Sequence, residues 1–429
     1  MLPEIRNRDT IFSIPKFSLE KEEVEGFIDE LQGFHEEFQD CFSRSESRDN
    51  FFRYTVGRLS KLERKSIEPI ALNIQGGNVR SMQKFVTDVV WDEDKMLAKY
   101  HNLLNVDMGD SDGVLIFDES GFVKKGDDSA GVAKQYCGNL GKVENCQVGV
   151  FAAYASPSGY ALLDKRLFIP EKWFTDDYKI RRNKCKIPGD VEFKTKPQLA
   201  IEIFHDLQER KILPYKYILA DSLYGNSPEF IGAIEEHSEL HYFVSIPSDT
   251  LCWLERPNTM EKEYNYKSER RTRVILEKGE KKPVSFETLA MNFNNYFWYR
   301  RKVSEGTKGP IEYEFAIKRV VLAKNGLPEK TVWLIIKRTI GCNLTYKYFI
   351  SNAPEDTKLK TFVWLSGLRW AIEQCFEETK SELGMDQYEV RKYAGWNHHI
   401  LTCMLSHFFL WHLKIRLGKK SSVYYSVAA

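Results

Sequence analysis

Two aspartates directly follow the two most apolar of the predicted strands. Residues 114–117 and 217–220 are short, continuous apolar runs typical of buried strands, and Asp118 and Asp221 come next in the chain. If these strands are parallel neighbours, the two carboxylates lie about 5 Å apart, at the edge where open α/β sheets bind ligands. Carboxylate oxygens are hard ligands that hold divalent cations. The alternative is that each aspartate is a turn former or a helix cap.

A third carboxylate lies between two cations on a predicted helix. The segment 366–380 has an apolar stripe at helical spacing, and Arg369, Glu373 and Lys380 are separated by four and seven residues. At about 100° per residue, these three side chains fall within about 40° of one another. The alternative is an ordinary surface pair of Arg369 and Glu373, which stabilises a helix by about 0.2–0.5 kcal/mol.

The elements that must position these residues form a mixed α/β pattern. Helical spacing dominates residues 20–105, and strands begin near residue 114. A Ser-Pro-Ser-Gly turn at 156–159 predicts a hairpin. The further elements predicted before residue 250 are strands at 146–155, 160–168 and 241–246 and helices at 196–210 and 227–237. This order favours a mixed sheet with helices on both faces.

Basic and aromatic residues alternate after residue 250, which predicts an inserted, antiparallel β-rich block. Helices return at about 360–383 and 396–417. We therefore expect an N-terminal helical domain at 1–107, a mixed-sheet core at 108–250 that resumes at 358–418, the inserted block at 251–357 and a tail at 419–429.

Composition excludes several classes of protein. The chain has 429 residues, 42% of them hydrophobic, which excludes disorder over most of its length. Eight scattered cysteines contain no Cys-x-x-Cys, so a zinc ribbon is not expected. The beginning of the sequence lacks the apolar run of a signal peptide, and the longest apolar stretch, about 404–415, is too short to span a bilayer. We expect a soluble, cytoplasmic protein with no membrane partner.

Charge is local rather than global. The net charge is only +1, but residues 53–84 contain seven basic and two acidic residues, a local charge of +5. This stretch predicts contacts with DNA phosphates through the basic residues Arg58, Lys61, Arg64 and Lys65. The alternative is a solvated helical face.

Several short motifs in this sequence resemble those of DDE transposases, which have an RNase H-like catalytic domain. Residues 117–122 (FDESGF) resemble the first-aspartate motif, residues 134–138 (KQYCG) the block after it, and residues 220–225 (ADSLYG) the second-aspartate motif. The spacing of Arg369, Glu373 and Lys380 is similar to the third motif, Tyr-x2-Arg-x3-Glu-x6-Lys.

The resemblance is narrower than the superfamily. Residues 388–391 and 395–396 look like a downstream block of the insertion sequence 701 group, within the broader insertion sequence 4 group. One position departs from the pattern: Ser366 stands where the family has tyrosine, which puts one contact near the cleaved phosphate in doubt.

The resemblance implies metal-dependent cleavage at transposon ends and strand transfer into target DNA. Asp118, Asp221 and Glu373 would hold two Mg²⁺ ions, with Mn²⁺ as the expected substitute, and Asp118 would bridge them. Arg369 and Lys380 would bind phosphate. Glu119 is not expected to be one of the metal-binding carboxylates, because strand alternation turns its side chain away from Asp118.

The resemblance also implies the partners and the location. The expected DNA partner is double-stranded and includes the terminal inverted repeats and the target. The expected protein partner is a second copy of the chain on paired ends, and the expected location is a prokaryotic cytoplasm. An apolar stripe at 401–413 is either core or a subunit contact.

Some residues have two open roles. In related transposases a tryptophan of the inserted block stacks on a flipped base. Trp253, Trp298 and Trp333 suit that role, with core packing as the alternative. His398 and His399 are either DNA-facing or satisfied core groups, and not metal ligands.

Two other functions stay open beside transposition. One is a domesticated transposase that binds DNA as a regulator without catalysis. The other is a metal-dependent DNA nuclease on the same fold. Three converging carboxylates weigh against the first, and the inserted block and N-terminal helices weigh against the second.

Overall fold

The computed structural model describes residues 21–266, 269–306 and 309–427, and they form two compact units. Residues 217–368 form one, here called the central unit, and residues 21–216 with 369–427 form the other, the flanking unit. These units divide the chain differently from the expected domains, whose boundaries stay a prediction. In the described residues, no helix combines the length and apolar character needed to cross a membrane.

The flanking unit begins with five helices and continues into four strands. The helices are α1 (Lys21–Glu36), α2 (Ser45–Leu59), α3 (Ile67–Asn73), α4 (Val79–Thr87) and α5 (Glu93–Met108). The strands are β1 (Val114–Val123), β2 (Ala133–Cys137), β3 (Lys142–Ser156) and β4 (Gly159–Phe168). Two helices follow, α6 (Lys179–Lys184) and α7 (Lys196–Arg210). The predicted N-terminal helices and the helix at 196–210 are confirmed.

Antiparallel pairing organises these four strands around β3. Along one edge β3 pairs with β1, and along the other it pairs first with β2 and then with β4. The predicted hairpin is confirmed, and it turns at Gly159. Gly159 has φ 156°, and a Cβ there would lie 2.6 Å from Cε3 of Trp411, so only glycine fits this turn.

The central unit is a larger sheet with its own helices. Its first part contains β5 (Tyr217–Ala220), α8 (Ser222–Gly225), α9 (Pro228–Glu235), β6 (His241–Ile246) and β7 (Leu251–Trp253). It continues with β8 (Thr259–Tyr266), β9 (Glu269–Leu276), β10 (Val284–Ser285) and α10 (Phe286–Met291). Its last part is β11 (Tyr299–Gly306), β12 (Gly309–Lys324), β13 (Leu327–Arg338), β14 (Tyr346–Ser351) and α11 (Leu359–Leu368).

Within this unit the strand order is β10-β7-β12-β13-β14-β6-β5, and β11 pairs with β12. β5 and β6 are parallel, whereas the other pairs are antiparallel, so both predicted kinds of pairing occur. β8 and β9 form a separate two-stranded sheet. The predicted α/β class with an inserted β-rich block is confirmed.

Two helices of the flanking unit complete the chain, α12 (Trp370–Ser381) and α13 (Tyr393–Val427). α13 is much longer than the predicted helix at 396–417, and its apolar stripe forms the core of this unit. Its fully buried members include Leu401, Met404, Leu405 and Phe408. The core alternative for the stripe is therefore the one observed.

Candidate active site

Asp118 lies in the middle of β1, not at its end. The strand continues for five residues beyond it, and Asp118 is paired with Phe151 of β3. The predicted strand end is therefore wrong. Polar residues 118–120 do not end the strand because β3 continues opposite them and satisfies their backbone groups. The Asp118 side chain is 19% exposed.

Arg369 joins Asp118 to Glu373. The Nη1 atom of Arg369 lies 4.0 Å from Oδ2 of Asp118, and its Nη2 forms an ion pair with Oε1 of Glu373. The Glu373 side chain is 48% exposed, so its oxygens can be reached from solvent. The predicted helix of 360–383 is broken here, because α11 ends at Leu368 and α12 begins at Trp370. The four-residue spacing nevertheless brings the arginine and the glutamate together.

Lys380 anchors α12 to β1 two residues beyond Asp118. Its ammonium donates to Oγ of Ser120 at 2.8 Å and to the carbonyl oxygen of Gly121 at 3.1 Å. Burial lowers the pKa of Lys380 from 10.5 to about 8, although the charges of Asp386 and Cys137 act in the opposite direction. Arg369, directly before α12, and Lys380, within it, thus contact β1 at and just beyond Asp118. Glu373 is joined to Asp118 through Arg369.

Glu119 contacts a second helix, because its Oε1 accepts from Nζ of Lys196 in α7 at 2.8 Å. One of its carboxylate oxygens nevertheless lies within 4.8 Å of an oxygen of Asp118. The Asp118 side chain bends along the strand, where its Oδ1 accepts the backbone N–H of Glu119 at 2.8 Å. The expectation that strand alternation keeps Glu119 away from Asp118 is therefore wrong, and Glu119 lies close enough to Asp118 to share a cation with it.

Asp221 belongs to the central unit and directly follows the buried strand β5. Its Oδ1 accepts the backbone N–H of Leu223 at 2.9 Å, so it caps the short helix α8. The helix-cap alternative is therefore observed for Asp221, and its convergence with Asp118 stays a prediction. Ser366, in α11, donates its hydroxyl to the carbonyl of Val363 within its own helix.

The predicted stacking tryptophans make protein contacts in the central unit. The indole N–H groups of Trp253 and Trp333 donate to the carbonyls of Lys281 and Pro354. The Trp298 ring is buried under the guanidinium of Arg338, 3.7 Å from the ring centroid. Trp253 and Trp298 are buried, which is the core alternative, whereas Trp333 is half-buried. Base stacking stays a prediction for all three.

Trp370, which the sequence reasoning missed, is 46% exposed and is adjacent to Arg369. The signal was available in the helical spacing. Trp370 falls outside the buried stripe that Ile372 and Phe376 continue, and its ring packs edge-on against Tyr160 with ring centroids 5.8 Å apart.

Two of the predicted DNA contacts are interior groups. Arg58 is completely buried and donates to the carbonyl of Leu383 at 2.7 Å, and its guanidinium also meets Nδ1 of His399 at 2.8 Å. Lys65 is buried as well, and it donates to the carbonyl of Arg58. Neither side chain has surface for a phosphate, so the prediction is wrong for both.

The exposed members of the set keep their predicted role. Lys61 and Arg64 lie on the surface beyond α2, and Arg64 forms an ion pair with Glu389. Their contact with DNA stays a prediction.

Both neighbouring histidines are core groups. His398 stacks on Trp91 with ring centroids 4.1 Å apart and hydrogen-bonds the carbonyl of Val86. Burial lowers the pKa of His399 well below 6.5, and the Arg58 charge lowers it further. A neutral His399 fits its contacts, because Nε2 donates to the carbonyl of Met385 while Nδ1 accepts from Arg58.

An α/β fold with carboxylates and cations gathered on one strand and one helix is compatible with metal-dependent phosphoryl transfer. The chain belongs to the DDE superfamily endonuclease family, whose family model matches residues 37–310. That match includes Asp118 and Asp221 and ends before Glu373. The architecture is consistent with the RNase H-like fold expected for this family.

A curated relative extends the similarity over most of the chain. It is described as "Probable transposase for insertion sequence element IS701" from Microchaete diplosiphon. The two chains are 24% identical over 372 residues, which is 86% of this chain and 82% of the relative. The resemblance to this group, the fold class and an enzyme acting on DNA are thereby confirmed.

Proposed function

We propose that this protein is a DNA transposase of the insertion sequence 701 type that cuts both ends of its element and joins them to target DNA. The observation that carries the proposal is the contact of Arg369 with both Asp118 and Glu373, because it gathers two motif carboxylates around one cation. The relative described as a transposase supports the same function.

We propose Asp118, Asp221 and Glu373 as the catalytic residues and as ligands of two Mg²⁺ ions. Their carboxylate oxygens are the hard donors that Mg²⁺ prefers, and the partial exposure of Asp118 and Glu373 leaves them accessible to a hydrated ion. Bound divalent ions would activate the attacking oxygen and stabilise the leaving oxygen.

The protein's own contribution is positioning and charge. Arg369 can offer a two-pronged donor to a phosphate, and Lys380 fixes the direction of α12 by bonding β1 at Ser120 and Gly121. Since no covalent protein intermediate is required, the rate depends on how firmly these groups hold the scissile phosphate.

A matched pair of variants on one helix tests the site. Glu373 and Glu377 are four residues apart on α12, and both are exposed, but only Glu373 contacts Arg369. With purified protein and DNA containing the element's ends, Glu373→Gln, Asp118→Asn and Asp221→Asn should each lower Mg²⁺-dependent cleavage at least about a hundredfold, whereas Glu377→Gln should cleave like wild type. Equal cleavage by Glu373→Gln and wild type would refute the assignment.

The assay also separates the other two functions. A DNA-binding regulator would bind the ends without cutting them in Mg²⁺. A nuclease would cut them but leave no joined product when target DNA is added. The proposed transposase should give covalent end–target products, which a gel of labelled ends resolves by size.

We propose that the exposed cations Lys61 and Arg64 contribute to binding of the terminal repeats by the N-terminal helices. Phosphate contacts fix register on the duplex, and base contacts supply specificity. The relative described as a transposase for an insertion sequence element supports the proposed location, a prokaryotic cytoplasm.

A further inference from the structure

The separate sheet of the central unit is a two-stranded ribbon with two unlike faces. β8 and β9 pair with each other in unbroken register, and each has eight residues, so the ribbon is about 27 Å long. Isolated hairpins of this size are marginally stable in water. A partner that covers one face of this separate ribbon would therefore stabilise it.

Strand alternation sorts the charges of the ribbon. One face, here called the basic face, has these described side chains: Met260, Lys262, Tyr264, Arg271, Arg273 and Ile275. The strand register assigns Tyr266 and Glu269 to the same face. The opposite face carries Glu261, Glu263 and Arg270, and Arg270 forms an ion pair with Glu263 at 3.5 Å. The basic face therefore has three cations and one carboxylate, a charge of +2, whereas the opposite face has a charge of −1.

The basic face is exposed and contains an aromatic group held by a cation. Met260 and Tyr264 are 46% and 36% exposed, and the Arg273 guanidinium lies 5.3 Å from the centroid of the Tyr264 ring. Lys262 and Arg273 are directly opposite each other across the two strands. Like charges in such a pair repel, so the arrangement costs stability unless an anion neutralises it.

Duplex DNA matches this face in charge and in size. The major groove is about 12 Å wide and admits a two-stranded ribbon, whose strands lie about 4.8 Å apart. Three cations at the ribbon's centre suit the phosphates that border a groove, and Met260 and Tyr264 suit base edges.

We propose that the basic face of the β8–β9 ribbon enters a groove of duplex DNA and adds a second contact surface to the enzyme. The inference rests on the proposed function only in taking DNA as the partner, and it assigns no catalytic role to the ribbon. The occupant is duplex DNA of any sequence, because the phosphates that the cations would contact are the same in every duplex.

Adjacent arginines on opposite faces provide the test. In the full chain, Arg271→Ala should lower the slope of log K against log salt concentration by about 0.9, and the triple variant K262A/R271A/R273A by up to about 2.7. Arg270→Ala, which removes the same charge from the opposite face, should leave the slope unchanged. Circular dichroism should show all variants folded, because these side chains are exposed.

Three probes of equal length identify the partner: duplex with the terminal repeats, duplex without them, and a single strand. Equal loss of affinity on both duplexes is expected, because the contacted phosphates are the same in each, and loss on neither duplex would overturn the proposal. An equal effect of Arg270→Ala and Arg271→Ala, or an equal loss on the single strand, would overturn the proposal. Catalysis by wild type is measured in parallel, so a wild type that neither binds nor cuts DNA refutes the proposed function instead.

Discussion

Lys380 shows how one residue couples the proposed site to pH. Its ammonium is bonded to β1 but surrounded by protein, and the penalty of burial outweighs the attraction of nearby negative charge. The result is a lysine with a pKa of about 8 in the folded protein, compared with about 10.4 in an unfolded chain.

The sign of the resulting pH effect follows from proton binding. Between about pH 8 and pH 10.4 the unfolded state holds this proton and the folded state does not, so Lys380 makes the folded state more favourable as pH rises through that window. We expect the unfolding free energy of wild type, relative to Lys380→Met, to increase from pH 7.5 to pH 10. Urea denaturation of both proteins at several pH values measures it, and a constant difference would contradict the assigned pKa shift.

Single residues also show what the sequence could and could not predict. The spacing of Arg369 and Glu373 predicted their contact correctly, because i,i+4 neighbours meet even where a helix begins. Burial of Arg58 and Lys65 was not predictable from local charge. Arg58 meets Leu383 and His399, and Lys65 meets the carbonyl of Glu382. These partners lie more than 300 positions away, and only the folded chain brings them to the cations.

Element boundaries were less predictable than element types. β1 passes through Asp118 to Val123 because β3 supplies a partner at every position, and a polar sequence gives no hint of that partner's length. The helix at 396–417 was found from its apolar stripe, but its ends were not, because α13 continues through a polar segment to Val427. Apolar periodicity marks the part of an element that packs, whereas its ends depend on what surrounds it.

The junction of α2 with α13 and the turn after α12 provides a test at this scale. Arg58→Ala should destabilise the protein by about 3 kcal/mol, because it leaves the buried Leu383 carbonyl without its donor and removes one of the two groups that hydrogen-bond His399 Nδ1. Lys61→Ala, three residues later but exposed, should change stability by less than about 0.5 kcal/mol.

Thermal unfolding without DNA measures the stability of both variants. A gel-shift titration with end DNA measures how tightly each variant binds DNA. Lys61→Ala should weaken DNA binding while keeping the melting temperature. If Arg58→Ala instead weakened binding with an unchanged melting temperature, Arg58 would be a DNA contact and its burial irrelevant to function.

Across the whole molecule, the near-zero net charge conceals strongly charged local surfaces. Sixty-two basic and 61 acidic residues cancel overall, yet the basic face of the ribbon has three cations and one carboxylate by its strand register. Binding of DNA by such a protein depends on where the cations are exposed. Composition alone could therefore neither support nor exclude a DNA-binding function, and the motifs had to carry that inference.

Symmetry sets the expected assembly on DNA. An element has two inverted ends, which a two-fold pair of protomers matches. The apolar stripe of α13 is occupied by the core of its own unit, as the burial of Leu401, Met404 and Phe408 shows, so it is not available to hold a dimer together without DNA. We therefore expect a monomer in free solution and two protomers once two ends are present, with the DNA supplying much of the contact between them.

Mass measurement by light scattering tests this assembly. The chain of 50.1 kDa should run as a monomer alone, and with end DNA in Ca²⁺, where cleavage is suppressed, it should form a complex of two protomers and two duplexes. DNA that lacks the terminal repeats is the control and should give no paired complex.

A cleavage assay on mixed protomers tests which protomer cuts which end. One protomer carries Glu373→Gln, and the other carries Lys61→Ala and Arg64→Ala. Recovery of cleavage above that of either variant alone is expected if a protomer bound to one end cuts the other, because the binding-competent protomer holds the DNA and the intact active site cuts it. A mass of one protomer per duplex, without pairing under conditions that support cleavage, would contradict the assembly.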